Sequence, residues 1–259
     1  MAKAPTFELF SSLRYDPLLV DVKANTSLLQ DDGASSATSS GSPFYILPYH
    51  RDRILQAAEH FGWDDAASKI RGPDGLALLS KHLDTAIQDR QPGPLRVKLL
   101  LDHVGSMKVE TSPAAPVSEF NLFPARLPPP QDTEPLKVSP LTGGALTLGG
   151  NDTVHGDPPT QDTWDILLDT ARTEPTPYTS YKTTSRNMYD SARVNVGIKE
   201  FTEPREVLLV SDKDGAIMEG SLTSVYFWRD GQWVTPKVQD GGQIGTTRRW
   251  ALEKKYVNA

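Results

Sequence analysis

A chain of 259 residues with a formal charge of −6 is long enough for one large domain or two small ones with a real core, and its acidic balance argues against nucleic acid or an anionic membrane as partner. It contains no cysteine, which excludes disulfides, thiolate catalysis and cysteine metal sites; the five histidines lack ligand spacing, so no metal site is expected. Apolar residues make up 37% and proline and glycine number 21 and 19, a globular composition with long irregular loops; no apolar run could cross a bilayer and no signal core opens the chain, so a cytoplasmic location is expected.

The first strand is predicted over residues 6–15, where Phe7, Leu9, Ser11 and Leu13 share one face. Residues 25–43 are rich in Ser, Gly and Asp and read as a mobile loop. A short strand follows at 44–47. Ile54, Ala57, Ala58 and Phe61 recur at helical spacing over 50–61, and Gly62 ends that helix. Two more helices read at 64–70 and 74–89, the second capped by Asp74 ahead of Leu76, Leu78, Leu79 and Leu83. Gln91-Pro-Gly-Pro94 is a hard break. Residues 95–103 read as a buried strand, with 107–110 pairing back across Gly105.

Residues 112–162 are rich in Pro and Gly, and the three prolines at 128–130 favour an extended polyproline crossing. A strand is predicted at 165–170. Met188, Ala192 and Val196 then share a helical face that Gly197 ends. The fold class is α+β: an N-terminal α/β lobe over 1–127, a Pro/Gly-rich connection over 128–162, a β-rich lobe over 163–259, and an active cleft expected between the lobes.

The last fifth of the chain reads as a β-meander. An apolar run at 207–210 meets Asp214-Gly215, a longer β-rich run at 216–228 meets Asp230-Gly231, and a short run stops at Pro236. Asp-Gly between β-rich runs is a strong hairpin signal, because a type I′ turn needs positive φ at both central residues. One carboxylate, Glu219, sits mid-sheet. Gly241-Gly-Gln-Ile-Gly-Thr-Thr247 follows and opens into a helix-like stretch. A carboxylate on a strand and bare amides at a helix N-terminus could hold a phosphorylated, protonated cofactor. Taken alone, Glu219 reads more readily as a solvent-facing edge carboxylate, and the Gly-rich turn as an ordinary loop.

In their order these motifs resemble the fold-type-IV pyridoxal-phosphate enzymes, the class IV aminotransferase-like family. Phe7-Glu-Leu-Phe-Ser-Ser-Leu-Arg14 is similar to the family's first strand. His50-x-x-Arg53-Ile54 resembles its H-x-x-R-L helix, whose arginine reaches the cofactor phosphate; that implies the role for Arg53, with Arg51 its near rival. Lys182, in Tyr-Lys-Thr-Thr-Ser-Arg, is similar to the lysine that bonds the cofactor. Glu219-Gly-Ser-Leu-Thr-Ser224 resembles the strand whose glutamate contacts the pyridine nitrogen. Thr235-Pro with Gly242-Gln-Ile-Gly-Thr-Thr-Arg248 resembles the phosphate cup, which implies contacts from Gly245, Thr246 and Thr247.

The resemblance thus implies pyridoxal 5′-phosphate as cofactor, Lys182 as catalytic residue, a small-molecule substrate, a homodimer and a two-lobed fold like that of D-amino-acid aminotransferase. Thr183, Arg186 and Arg193 would meet substrate carboxylates or serve ordinary helix-surface roles, while His50 and His103 would be structural. The first strand and Lys-Thr-x-x-Arg, with the Ser- and Pro-rich insertions, look most like the fungal aminodeoxychorismate lyases. These would release pyruvate from 4-amino-4-deoxychorismate to give 4-aminobenzoate for folate. The alternative is an aminotransferase acting on a D-amino acid, a branched-chain amino acid or an (R)-amine.

Two departures carry expectations. Ser224 stands where the family has Asn and keeps a hydroxyl but no amide. Family members continue with further strands and a helix past the phosphate turn. The resemblance therefore implies a second lobe incomplete at its C-terminus, with Trp250, Leu252 and Tyr256 short of packing partners and a catalytically impaired homologue as a third reading.

Overall fold

Strand β1 (Leu9–Tyr15) pairs antiparallel with β2 (Leu95–Leu101), and β2 with β3 (Met107–Pro113), in the order β1-β2-β3. The computed structural model describes residues 5–31, 41–89, 93–127, 129–130 and 164–259. It divides into two compact units, the first drawn from residues 1–119 and 181–185, the second from 120–180 and 186–259.

In the first unit the period-2 pattern puts Leu9, Leu13, Val97, Leu99 and Leu101 on one sheet face. That face is covered by α2 (Leu47–His60), through Ile54, Ala57 and Ala58, by α3 (Asp64–Ile70) and by α4 (Gly72–Ile87), through Leu76, Leu79 and Leu83. Between β1 and α2 runs α1 (Lys23–Asp31). The outer edge of β1 is paired at both ends. Tyr15 bridges Phe44, and Leu9 bridges Thr183 with Phe10 N–H donating to Lys182 O at 3.0 Å and Thr184 N–H to Glu8 O at 2.9 Å.

Three local expectations change here. Residues 25–31 belong to α1 and not to a loop. Asn25 is buried and clamps the corner, its Nδ2 donating to Ser42 O at 2.8 Å and its Oδ1 accepting from Ile46 N at 2.9 Å. The remainder of that expected loop, 32–40, lies outside the described residues. The strand expected at 44–47 reduces to the Phe44 bridge, because Ile46 turns left-handed at φ 42° and Pro48 favours the first turn of α2. Helix α4 starts at Gly72, a little before the expected cap. Pro73 sits in its first turn and Arg71 precedes it, so Asp74 lies inside that turn, where its charge suits the helix dipole.

The second unit begins within a single turn, α5 (Glu119–Leu122), whose first residue belongs to the first unit. Strand β4 (Asp165–Leu168) then precedes α6 (Pro177–Ser180) and α7 (Asn187–Asn195). Strand β5 (Arg205–Val210) pairs parallel with β4 and antiparallel with β6 (Ile217–Gly220). The core of this unit joins Tyr189 and Ala192 of α7 to Val207, Leu209 and Met218 of the sheet. Strands β7 (Phe227–Arg229) and β8 (Gln232–Val234) form the hairpin read from Asp230-Gly231, with φ of 51° and 77° at the two turn residues. Helix α8 (Thr246–Glu253) follows.

The long run read at 216–228 is interrupted, because the turn after Gly220 wraps the buried Glu206 carboxylate. Ser221 N (3.0 Å) and Oγ (2.6 Å), Leu222 N (3.1 Å) and Thr223 Oγ1 (2.8 Å) all donate to it. Near the other end, Trp250 is 2% exposed and packs edge-on against Phe123 and Tyr256, and Asn258 N–H donates to Trp233 O at 2.9 Å. Trp250 and Tyr256 therefore have partners, against the expectation that they would lack them. The connection expected at 128–162 lies outside the described residues except for Pro129 and Pro130.

Candidate active site

In the first unit, pairing with β1 holds the Lys182 segment in extended form. Lys182 is half-buried, with Nζ 5.0 Å from the centre of the Phe10 ring. From α2, His50 and Arg53 reach the same strand. Arg53 Nη2 donates to Ser11 Oγ and lies 3.4 Å from His50 Nδ1, and Ser11 Oγ lies 2.7 Å from that Nδ1. Arginine only donates, so Ser11 accepts from Arg53 and gives its own proton to Nδ1, which leaves His50 as the Nε2–H tautomer. Burial, helped by the charges of Arg53 and Lys182, holds His50 well below its ordinary pKa. The cluster is two cations around a neutral imidazole.

Arg51, the rival of Arg53, is committed elsewhere: it is 4% exposed, with Nε on Asp52 Oδ1 at 2.8 Å and Nη1 on Gly72 O at 2.7 Å. Thr183 is buried and its hydroxyl donates to Ser185 O at 3.2 Å. His103 packs edge-on against Trp63.

In the second unit, Glu219 is buried on β6 opposite Leu209, not turned to solvent. It accepts a hydrogen bond from Tyr189 Oη, to which Gln243 Nε2 donates at 3.0 Å. Arg186 stacks 4.1 Å from the Tyr189 ring centre and donates Nη2 to Ser221 O at 2.7 Å. Arg193 is buried on Ser221 Oγ and Glu200 O.

A small hollow beside Glu219 is lined by Ser224, Gln243, Gly242 and Arg248. The backbone approaches closely there. A Cβ on Gly242 would meet Met218 O at 2.4 Å, and one on Gly245 would meet Ser224 Oγ at 2.5 Å. Gly245 is the N-cap of α8 and no side chain caps that end, while Thr246 and Thr247 in the first turn are buried. Arg248 donates to Pro236 O at 2.6 Å, and burial lowers its pKa against the opposing pull of Tyr226 and Glu219. Burial pushes the Tyr226 phenol up to about 12.

Chemically, the first unit offers an amine beside a second cation, and the second offers a buried carboxylate near a helix N-terminus. Sequence reading missed Ser11, Tyr189, Gln243 and Glu206. Tyr189 left a signal, since it lies three residues before Ala192 on the apolar face of α7. Among the described residues no His, Cys, Asp and Glu group could hold a metal ion, and no helix is long and apolar enough to cross a membrane.

A family profile described as Amino-transferase class IV matches residues 36–257. The chain belongs to the class IV aminotransferases. A Schizosaccharomyces pombe protein named "Putative aminodeoxychorismate lyase" is 33% identical over 232 residues, 89% of this class IV chain and 77% of its own length. The Saccharomyces cerevisiae protein named "Aminodeoxychorismate lyase" is 32% identical over 103 residues, so the match spans 34% of this chain and only 28% of that protein. A solved "Putative amino-acid aminotransferase" from Mesorhizobium loti shares the class IV fold, with a TM-score of 0.60 at 19% identity over 98% of this chain and 86% of its own.

Proposed function

We propose that this class IV chain is a pyridoxal-phosphate lyase, acting as a homodimer, that converts 4-amino-4-deoxychorismate to 4-aminobenzoate and pyruvate. The observation that carries the lyase reading is the 33% identity to the fission-yeast protein over 89% of the chain. The donor set fits the cofactor. Glu219 suits a protonated ring nitrogen, and the α8 N-terminus has no side-chain cap, two buried threonines and a Gly242–Gly245 backbone that a Cβ would crowd; both suit a phosphate.

When bound, pyridoxal phosphate supplies an electron sink conjugated to the substrate nitrogen. Lys182 would hold the cofactor and, as a neutral amine, would take the proton from C4 of the substrate ring. Glu219 would keep the ring nitrogen protonated, with Ser224 lining the same hollow. Arg53 would neutralise the phosphate, and Gly245, Thr246 and Thr247 would orient it. As the C4 proton leaves, the bond from the ring to the enolpyruvyl oxygen breaks. The departing enolpyruvate takes up one proton at its methylene carbon and becomes pyruvate, and the ring becomes aromatic, which drives the reaction without an amino acceptor.

The test is release of pyruvate from 4-amino-4-deoxychorismate by cofactor-loaded protein with no keto acid added, beside Lys182→Ala. Release that depends on Lys182 supports the lyase. Turnover only with an amino donor and a keto-acid acceptor would move the assignment to an aminotransferase. A folded protein in which borohydride traps no cofactor on Lys182 would sink the enzyme reading.

A further inference from the structure

Tyr189 is buried to 1% exposure among Ala192, Ile198, Val207, Leu209 and Met218, so its ring cannot swing away. Its hydroxyl has one proton and three polar neighbours. Thr179 O, at 3.3 Å, is beyond the usual O–H···O range. Gln243 Nε2 donates to the oxygen at 3.0 Å. The remaining neighbour is Glu219 Oε1, in the closest contact of the three, and it takes the proton. The amide orientation of Gln243 agrees, because the flipped amide would set a second acceptor against the same single proton. The Arg186 guanidinium over the ring face, anchored on Ser221 O, draws electron density from the phenol and strengthens its donation.

We propose that Tyr189 is a positioning residue for the cofactor's ring nitrogen: its hydroxyl, fixed as a donor by Gln243, holds the Glu219 carboxylate ionised and oriented on β6. The role toward the nitrogen rests on the pyridoxal-phosphate reading above. Desolvation first, then the Glu219 charge, raise the Tyr189 pKa, so the phenol keeps its proton throughout the working pH range. Among the charged groups acting on this pair are Arg186, over the Tyr189 ring, and Arg248, which feels the charge of Glu219. A tyrosine that merely filled the core would leave the titration of Glu219 indifferent to its hydroxyl.

The test compares the wild type with Tyr189→Phe, which keeps the ring, and with Gln243→Leu, which leaves Tyr189 in place should the first variant misfold. Two readouts are taken. One is the titration of the Glu219 carboxyl by 13C NMR in cofactor-free protein. The other is the 15N shift of bound pyridoxal phosphate labelled at its ring nitrogen. In Tyr189→Phe the Glu219 midpoint moves up by about one pH unit or more, a tenfold change in proton affinity. The bound 15N resonance moves toward that of an unprotonated pyridine, and Gln243→Leu shifts both in the same sense by less. An unmoved Glu219 midpoint in both variants overturns the inference and leaves the cofactor reading standing. Wild-type protein that takes up no cofactor on Lys182 overturns both, and that failure shows before any substitution of Tyr189.

Discussion

The Glu206 carboxylate accepts the Ser221 hydroxyl at 2.6 Å from the far side of the turn that follows Glu219. With the Ser221 and Leu222 amides and the Thr223 hydroxyl also donating, this buried acid fixes where β6 ends and the Ser224 stretch begins. Glu206→Gln keeps the shape but turns an amide NH2 toward donors. It should cost about 2–3 kcal/mol in urea unfolding, and Glu206→Leu, which strands every donor, should cost more. A Gln variant as stable as wild type would show that the turn holds itself.

The two close glycine approaches should behave differently. A methyl at Gly242 meets the Met218 carbonyl, which is backbone and cannot rotate away, so Gly242→Ala should lose about 1–3 kcal/mol of stability. A methyl at Gly245 meets the Ser224 hydroxyl, which can turn aside. Gly245→Ala should keep most of its stability and lose cofactor retention, and adding Ser224→Ala should restore part of that retention in a double-mutant cycle.

Arg51 and Arg53 stand two residues apart on α2 and should separate cleanly. Arg51 is spent on Asp52 and the Gly72 carbonyl, so Arg51→Leu should lower the melting temperature. Arg53→Leu should leave the melting temperature closer to wild type and weaken pyridoxal-phosphate binding about tenfold or more, the worth of one charge-assisted bond. Equal cofactor affinity in the two variants would remove Arg53 from the phosphate.

His50 gives a pH prediction. Its folded pKa lies below the ordinary 6.5 through burial and the neighbouring cations. The unfolded chain therefore binds the proton more readily. The stabilisation is complete above about 6.5 and is lost as pH falls below it toward the folded value. Unfolding free energy measured from pH 7.5 to 5 should fall in the wild type and fall less in His50→Asn, whose amide oxygen can still accept from Ser11.

Where a residue's role follows from local periodicity or turn chemistry, the sequence was readable. Helix α3 matches its expected 64–70 span, and Asp230-Gly231 forms the hairpin its φ preference requires. Helix α1 was missed because Lys23–Asp31 shows no apolar stripe; it is defined by Asn25, whose side chain bonds residues 17 to 21 positions away. Glu206 looked like the polar start of a strand, since its donors lie 15 to 17 residues further along. Arg53 and Lys182 in the first unit and Glu219 in the second were visible as motif residues. Their surroundings were not, because Ser11, Tyr189 and Gln243 matter only through contacts that no spacing rule encodes.

The hydrogen bond from Glu8 N–H to Thr184 Oγ1 spans 176 residues. At cellular elongation speeds roughly 10 to 35 s separate the synthesis of its two ends. Through that interval the nascent first unit carries an open strand edge, and the cluster around His50 lacks its lysine. Lys182 thus completes the first unit only after most of the chain has been made. An N-terminal fragment released early should aggregate or engage chaperones.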